Sequence, residues 1–157
     1  MPRAVVQKEN RSSQASHRKL ARLYESDEIA WLEEMCRLIE ERRYDELDYK
    51  NLSEYLSDMA RRDRREVLHR LTTLLDHMLR WDHQPSMRSR SWELTMKVQR
   101  QELNDLCESR TLKNHAVEIL NKAYARARDH AASETGLPEG RFPRECPYTL
   151  DDLLTEQ

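Results

Sequence analysis

Glycine and phenylalanine are nearly missing from this chain of 157 residues, which has two of the first and one of the second. So little turn chemistry excludes a fold built from hairpins, while plentiful Leu, Glu, Arg and Ala favour helix. No stretch reads as a strand. Cysteine is scarce as well: Cys36, Cys107 and Cys146 are odd in number and far apart. That spacing argues against a disulfide framework and against a closed zinc site. The thiols are expected to be reduced, with Cys36 and Cys107 at helix positions that bury. No apolar run approaches the roughly 18 to 20 residues of a membrane span, and the N-terminus lacks the apolar centre of a secretory signal. A soluble, cytoplasmic protein with no membrane partner is expected. A glycine-rich phosphate loop, a G-x-S-x-G elbow and a clustered carboxylate pair are missing too, so no pattern names a reaction or a cofactor.

What the chain does have is one dominant helical stretch, RREVLHRLTTLLDHMLRWDHQPSMRSRSW from Arg64 to Trp92. Val67, Leu68, Leu71, Leu74, Leu75, Met78 and Leu79 share one stripe of a 3.6-residue turn, the pattern of a buried central helix. Arg65, Glu66, Arg70, Asp76 and Arg80 form the opposite, polar face. Gln84-Pro85 ends the helix, because proline lacks the amide donor and disfavours helix in the residue before it.

Around this centre the remaining segments fall into order. Residues 1 to 20 hold five Lys or Arg against one Glu and show no helical period, so residues 1–23 read as a disordered basic tail. Ser26 or Asp27 caps the next helix, whose stripe is Ile29, Leu32, Met35, Cys36 and Ile39, with Trp31 and Leu38 on its flank. Asp48 or Asn51 caps a helix bearing Leu52, Tyr55, Leu56 and Met59. The polar cluster Ala60 to Arg65 lacks an apolar anchor, and a kink or short break is expected there. Ser91 reads as the cap of a helix from Trp92 to about Ser109, with Met96, Leu103, Leu106 and Cys107 inward and a sparse middle at Gln99 and Arg100. Thr111 reads as the cap of a fifth helix, which Gly136-Leu137-Pro138 stops. PEGRFPRECP follows as an extended strap, and Thr149 with Asp152 caps a terminal turn of helix. The expectation is an all-α helical bundle of four or five main helices with a C-terminal proline-rich strap and a short terminal helix, one domain over residues 24–157.

Four blocks in this order, YESDEIAWLEE, RRYDELDYKNLSEYL, WDHQPSMRSRSW and ETGLPEGRFPRECPYTLDDLL, resemble the family catalogued as domain of unknown function 29. The resemblance runs from about Tyr24 to Leu154. It implies a small, bacterial, all-helical protein and brings no reaction, cofactor or catalytic residue.

Three constellations carry chemistry worth placing. Arg64 and His69 have the spacing found in HEPN-type ribonucleases, where imidazole moves a proton and guanidinium grips an RNA phosphate across a dimer face. In a chain that is 36% charged such a pair also arises by chance on a solvated helix face. Glu66 and His69 form a Glu-x-x-His pair, but a di-metal bundle site needs a second copy and there is none; His77 reads as a hydrogen-bonded histidine at the core edge. Arg88 and Arg90 precede a helix start at Trp92, a place where free amides and the helix dipole attract anions or a partner. The same turn is also what results when arginines pair with Asp82 or Glu93 and Trp92 plugs the core.

The sequence thus points to a non-enzymatic binding or adaptor module acting through a protein partner or self-association. The runner-up is a nucleic-acid-directed enzyme or toxin-antitoxin component using Arg64 and His69. A net charge of −2 argues against a general nucleic-acid binder.

Overall fold

The structure, a computed structural model, describes residues 3–155, with side chains from residue 14 onward. It is all-α: α1 (Arg3–Ser26), α2 (Glu28–Glu40), α3 (Tyr49–His83), α4 (Arg90–Cys107), α5 (Arg110–Thr135) and the short α6 (Leu150–Leu154). Among the described residues there is no strand. The backbone divides into two compact units, residues 1–59 and 60–157, where sequence reasoning drew one domain from residue 24. The physical reason is the polar stretch Ala60 to Arg65, exposed throughout, which interrupts the apolar stripe so that the two cores share no residue. Of the expected kink or short break, the break does not occur, because these residues are all compatible with helix and α3 runs through them.

The first unit differs most from expectation. Of the stretch read as a tail, residues 3–23 lie within α1, residues 1 and 2 lying outside the described residues, and Leu20 is buried with Leu23 and Tyr24 packed beside it. Those three positions follow a helical spacing of 3 and 1, which only pays off once a partner helix covers them. That partner is α2, and of the expected stripe Ile29, Leu32, Met35, Cys36 and Ile39 it buries Met35 and packs Leu32 against the core, while the flank residues Trp31 and Leu38 replace the other three. Ile29 is 64% exposed, Ile39 is 43% exposed and Cys36 lies at the surface. Trp31 decides the choice of face. Its ring meets Tyr24 edge-on at 4.7 Å and Tyr55 at 5.8 Å, and its indole donates to the buried Asp48 carboxylate at 3.4 Å. A fully buried tryptophan needs a partner for its N–H, and Asp48 supplies one. Asp48 also accepts from the Asn51 amide, in the manner of a cap at the start of α3. Asp27 caps α2 by accepting from Ala30 N at 3.0 Å.

In the second unit the expected stripe of α3 is the core: Val67, Leu71, Leu74, Leu75 and Leu79 are buried, with Leu68 and Met78 packed against them. Ala116, Ala123, Ala127 and Ala131 of α5 are buried in the same core. Each buried Leu stabilises the unit by roughly 1.5 to 3 kcal/mol. Caps fall slightly earlier than predicted. Ser89, not Ser91, caps α4, and Ser109, not Thr111, caps α5. Gly136 ends α5 in the left-handed conformation at φ 67°.

The strap after it is pinned by Phe142, which is buried and meets His83 edge-on at 5.0 Å, and by the Tyr124 hydroxyl donating to Pro143 O at 2.7 Å. Thr149 and Asp152 form the predicted capping box of α6. The far end of α6 is closed from α4: Arg100 Nε donates to Leu153 O at 2.9 Å and Asn104 Nδ2 to Leu154 O at 3.0 Å. The apparent gap at Gln99 and Arg100 is thus filled by polar contacts, since Gln99 is also buried and accepts from Arg70 at 3.2 Å.

Candidate partner-binding groove

The turn between α3 and α4 builds a concave surface of the second unit. Pro85 starts a 3₁₀ turn through Met87, and Ser89 then accepts from Trp92 N at 3.3 Å to open α4. Arg88 folds back on α3, donating to Trp81 O at 2.9 Å with its guanidinium 4.9 Å from the Trp81 ring centre. Arg80 lies in the same way over Trp92, at 5.2 Å. The alternative pairing of Arg88 and Arg90 with Asp82 or Glu93 is not what forms among the described residues. Asp82 instead accepts from the Tyr148 hydroxyl at 2.7 Å, and burial together with that carboxylate pushes the phenol well above its usual range.

Beyond the turn, three depressions that share Lys97 merge into one groove along α4. One of them, about 460 Å³, has Met78, Trp81, Met96 and Tyr148 as apolar lining. Arg88 and Arg90 flank one end, Lys97 stands midway, and Arg100 marks the other. Against these four cations stand Asp82 and Glu93. On the outer edge α4 exposes Leu94 at 52% and Val98 at 49%. Among the described residues neither Arg90 nor Lys97 is held in an ion pair, so their charges face outward.

Of the residues singled out in the sequence, Arg88 and Arg90 lie on this groove, and Trp92 is half-buried beside it under Arg80. Arg64 and His69 are elsewhere, both exposed on α3. Five positions of helix set them about 140° apart around its axis. Arg64 reaches only the carbonyl of Ala60, at 3.5 Å. Glu66 is held by Arg70 at 2.7 Å. His77 has Nδ1 2.9 Å from Thr73 O, a half-buried ring satisfied by its own helix. Among the described residues no group of three or more His, Cys, Asp or Glu is arranged to hold a metal ion.

Sequence reasoning missed Asp76. It was assigned to the polar face of α3, yet it is buried and pairs with Arg80 at 2.7 Å. Its Oδ1 and the Nε of Arg80 have no hydrogen-bond partner. Burial pushes the Asp76 carboxyl up, against the opposing pull of Arg80 and His77. The one available signal was its four-residue spacing from Arg80 within an otherwise apolar turn.

Residues 23–157 match the family described as Domain of unknown function DUF29. The chain belongs to the DUF29 family. The match takes in all of α2 to α6, and so the whole groove, while most of α1 precedes it. No curated protein and no solved structure matches this DUF29 chain. Among the described residues, no helix of the DUF29 fold here is long and apolar enough to cross a membrane.

Proposed function

We propose that this DUF29 protein is a non-enzymatic binding module of the bacterial cytoplasm, whose working surface is the groove along α4 and whose ligand is a segment of protein. The observation that carries the reading is the outward stripe of α4. Leu94 and Val98 remain half in water beside the outward-facing charges of Arg90 and Lys97, over a cleft floored by methionine and aromatic side chains. Methionine adapts its shape to incoming side chains, and a basic rim around an apolar floor suits an amphipathic segment with acidic flanks. Asp82 and Glu93 in the lining disfavour a polyanionic nucleic-acid backbone. Three unpaired thiols suit a reducing compartment.

The test uses tagged full-length protein as bait, in nuclease-treated lysate of the native host to which untagged chain has been added. Wild type is compared with the double variant Arg90→Glu/Lys97→Glu. A protein held stoichiometrically by wild type and lost from the equally stable variant supports the groove as the docking site. Retention by the variant, or recovery of nucleic acid alone without nuclease and of nothing with it, overturns the reading.

A further inference from the structure

The first unit carries a surface that answers the groove in shape and charge. On α2 the positions Ile29, Glu33, Cys36 and Glu40 recur at intervals of 4, 3 and 4, so they form one outward stripe, and all four are exposed. Ile39 is exposed at its margin. The glutamates with ion pairs on this helix and its exit are Glu34, Glu41 and Glu46, which hold Arg37 and Arg43. Glu33 and Glu40 appear in no such pair among the described residues, so α2 offers an apolar ridge with two outward carboxylates. On α4 the outward stripe runs Arg90, Leu94, Lys97, Val98.

The two stripes share one spacing. Glu33 and Glu40 are seven positions apart, and so are Arg90 and Lys97. At 1.5 Å per residue both charge pairs span about 10.5 Å. Laid antiparallel, the stripes bring Glu40 to Arg90 and Glu33 to Lys97 and set Cys36 against Leu94, with Ile29 at the level of Gln101, one turn past Val98. That orientation also opposes the two helix dipoles.

We infer that the occupant of the groove is the exposed face of α2 from a second copy of this chain. The inference rests on the groove reading above and names its partner. Groove and ridge are different surfaces, so the contact is heterologous; a reciprocal pair closes on two such contacts, and otherwise copies add head to tail.

The test is the mass of the full chain in solution, followed by sedimentation equilibrium across concentration. Wild type should self-associate. The groove variant Arg90→Glu/Lys97→Glu and the ridge variant Glu33→Lys/Glu40→Lys should each weaken association by about tenfold or more. Mixing the two variants in the orientation that leaves one intact groove and one intact ridge should restore hetero-pairing. Combining all four reversals in one chain should restore association with the charges exchanged.

A wild-type chain that stays monomeric throughout, or variants that fail to complement, overturn the inference. Loss of a different protein from the groove variant would then leave the binding-module reading standing. A groove variant that changes neither self-association nor capture removes both.

Discussion

Asp76 and Arg80 form an ion pair of 2.7 Å within α3, with side chains only 10% and 13% exposed. Arg80 in turn covers the ring of Trp92, so a carboxylate inside α3 positions the cation that packs the start of α4. Because burial raises the Asp76 pKa despite Arg80, the folded protein holds the Asp76 proton more tightly than the unfolded chain does. Its contribution to stability is therefore fullest below the ordinary aspartate value of 3.8 and is lost as pH rises through the elevated one. Urea unfolding of Asp76→Asn across this range should show that slope removed. Arg80→Met strands a buried charge and should cost about 3 to 5 kcal/mol near neutral pH, less in acid, where Asp76 takes up a proton. An Arg80→Met penalty that does not depend on pH would contradict the pairing.

Two helix ends use the left-handed conformation with opposite fitness. Gly136 adopts φ 67° with nothing within 4 Å of an added Cβ, so Gly136→Ala carries only the backbone penalty, about 1 kcal/mol. At the end of α2, Arg42 sits at φ 58°, while Arg42 N and Arg43 N donate to Ile39 O and Leu38 O. That is a Schellman closure in a place suited to glycine. Arg42→Gly should stabilise by up to about 1 kcal/mol. Thermal unfolding of both variants checks the two signs together.

The thiols should separate by rate. Cys36 is exposed, whereas Cys107 and Cys146 are half-buried and burial pushes both of their pKa values up. A thiol reagent at mildly alkaline pH should modify one group quickly and two slowly. Diluting the protein to dissociate copies should speed the fast group if α2 lies in the groove.

His69→Ala and Arg64→Ala alter exposed positions and should shift stability by no more than about 0.5 kcal/mol. Neither should affect partner capture. An RNA-cleaving activity present in wild type and lost in His69→Ala would favour a nuclease over a binding module.

Local grammar carried much of this structure. The α3 stripe from Val67 to Leu79, the stop at Gly136-Leu137-Pro138 and the Thr149–Asp152 box are short-range features, each governed by one helical period or one cap. Ser89 and Ser109 moved two caps because several serines and threonines stood near each helix start, and only the chain path chose between them.

Where two surfaces competed, the amino-acid order alone did not settle the outcome. Nearly half of α2's circumference is apolar, and burial went to Trp31, Met35 and Leu38 because the indole found Asp48 seventeen residues away. The same choice exposed Ile29 and Cys36. Leu20 turned a basic stretch into part of a folded unit through contact with α2, a gain that the local sequence does not register. For the groove, Arg88 and Arg90 were visible as a basic turn before a helix. Met78, Trp81, Lys97 and Tyr148 joined them only when α3, α4 and the strap converged. From α2 onward the sequence by itself determined which segments are helical and where most of them stop, because hydrogen bonding and capping act within a few residues. Tertiary structure decided which faces are buried, since burial is settled by whichever distant side chain offers the better cover or the needed hydrogen bond.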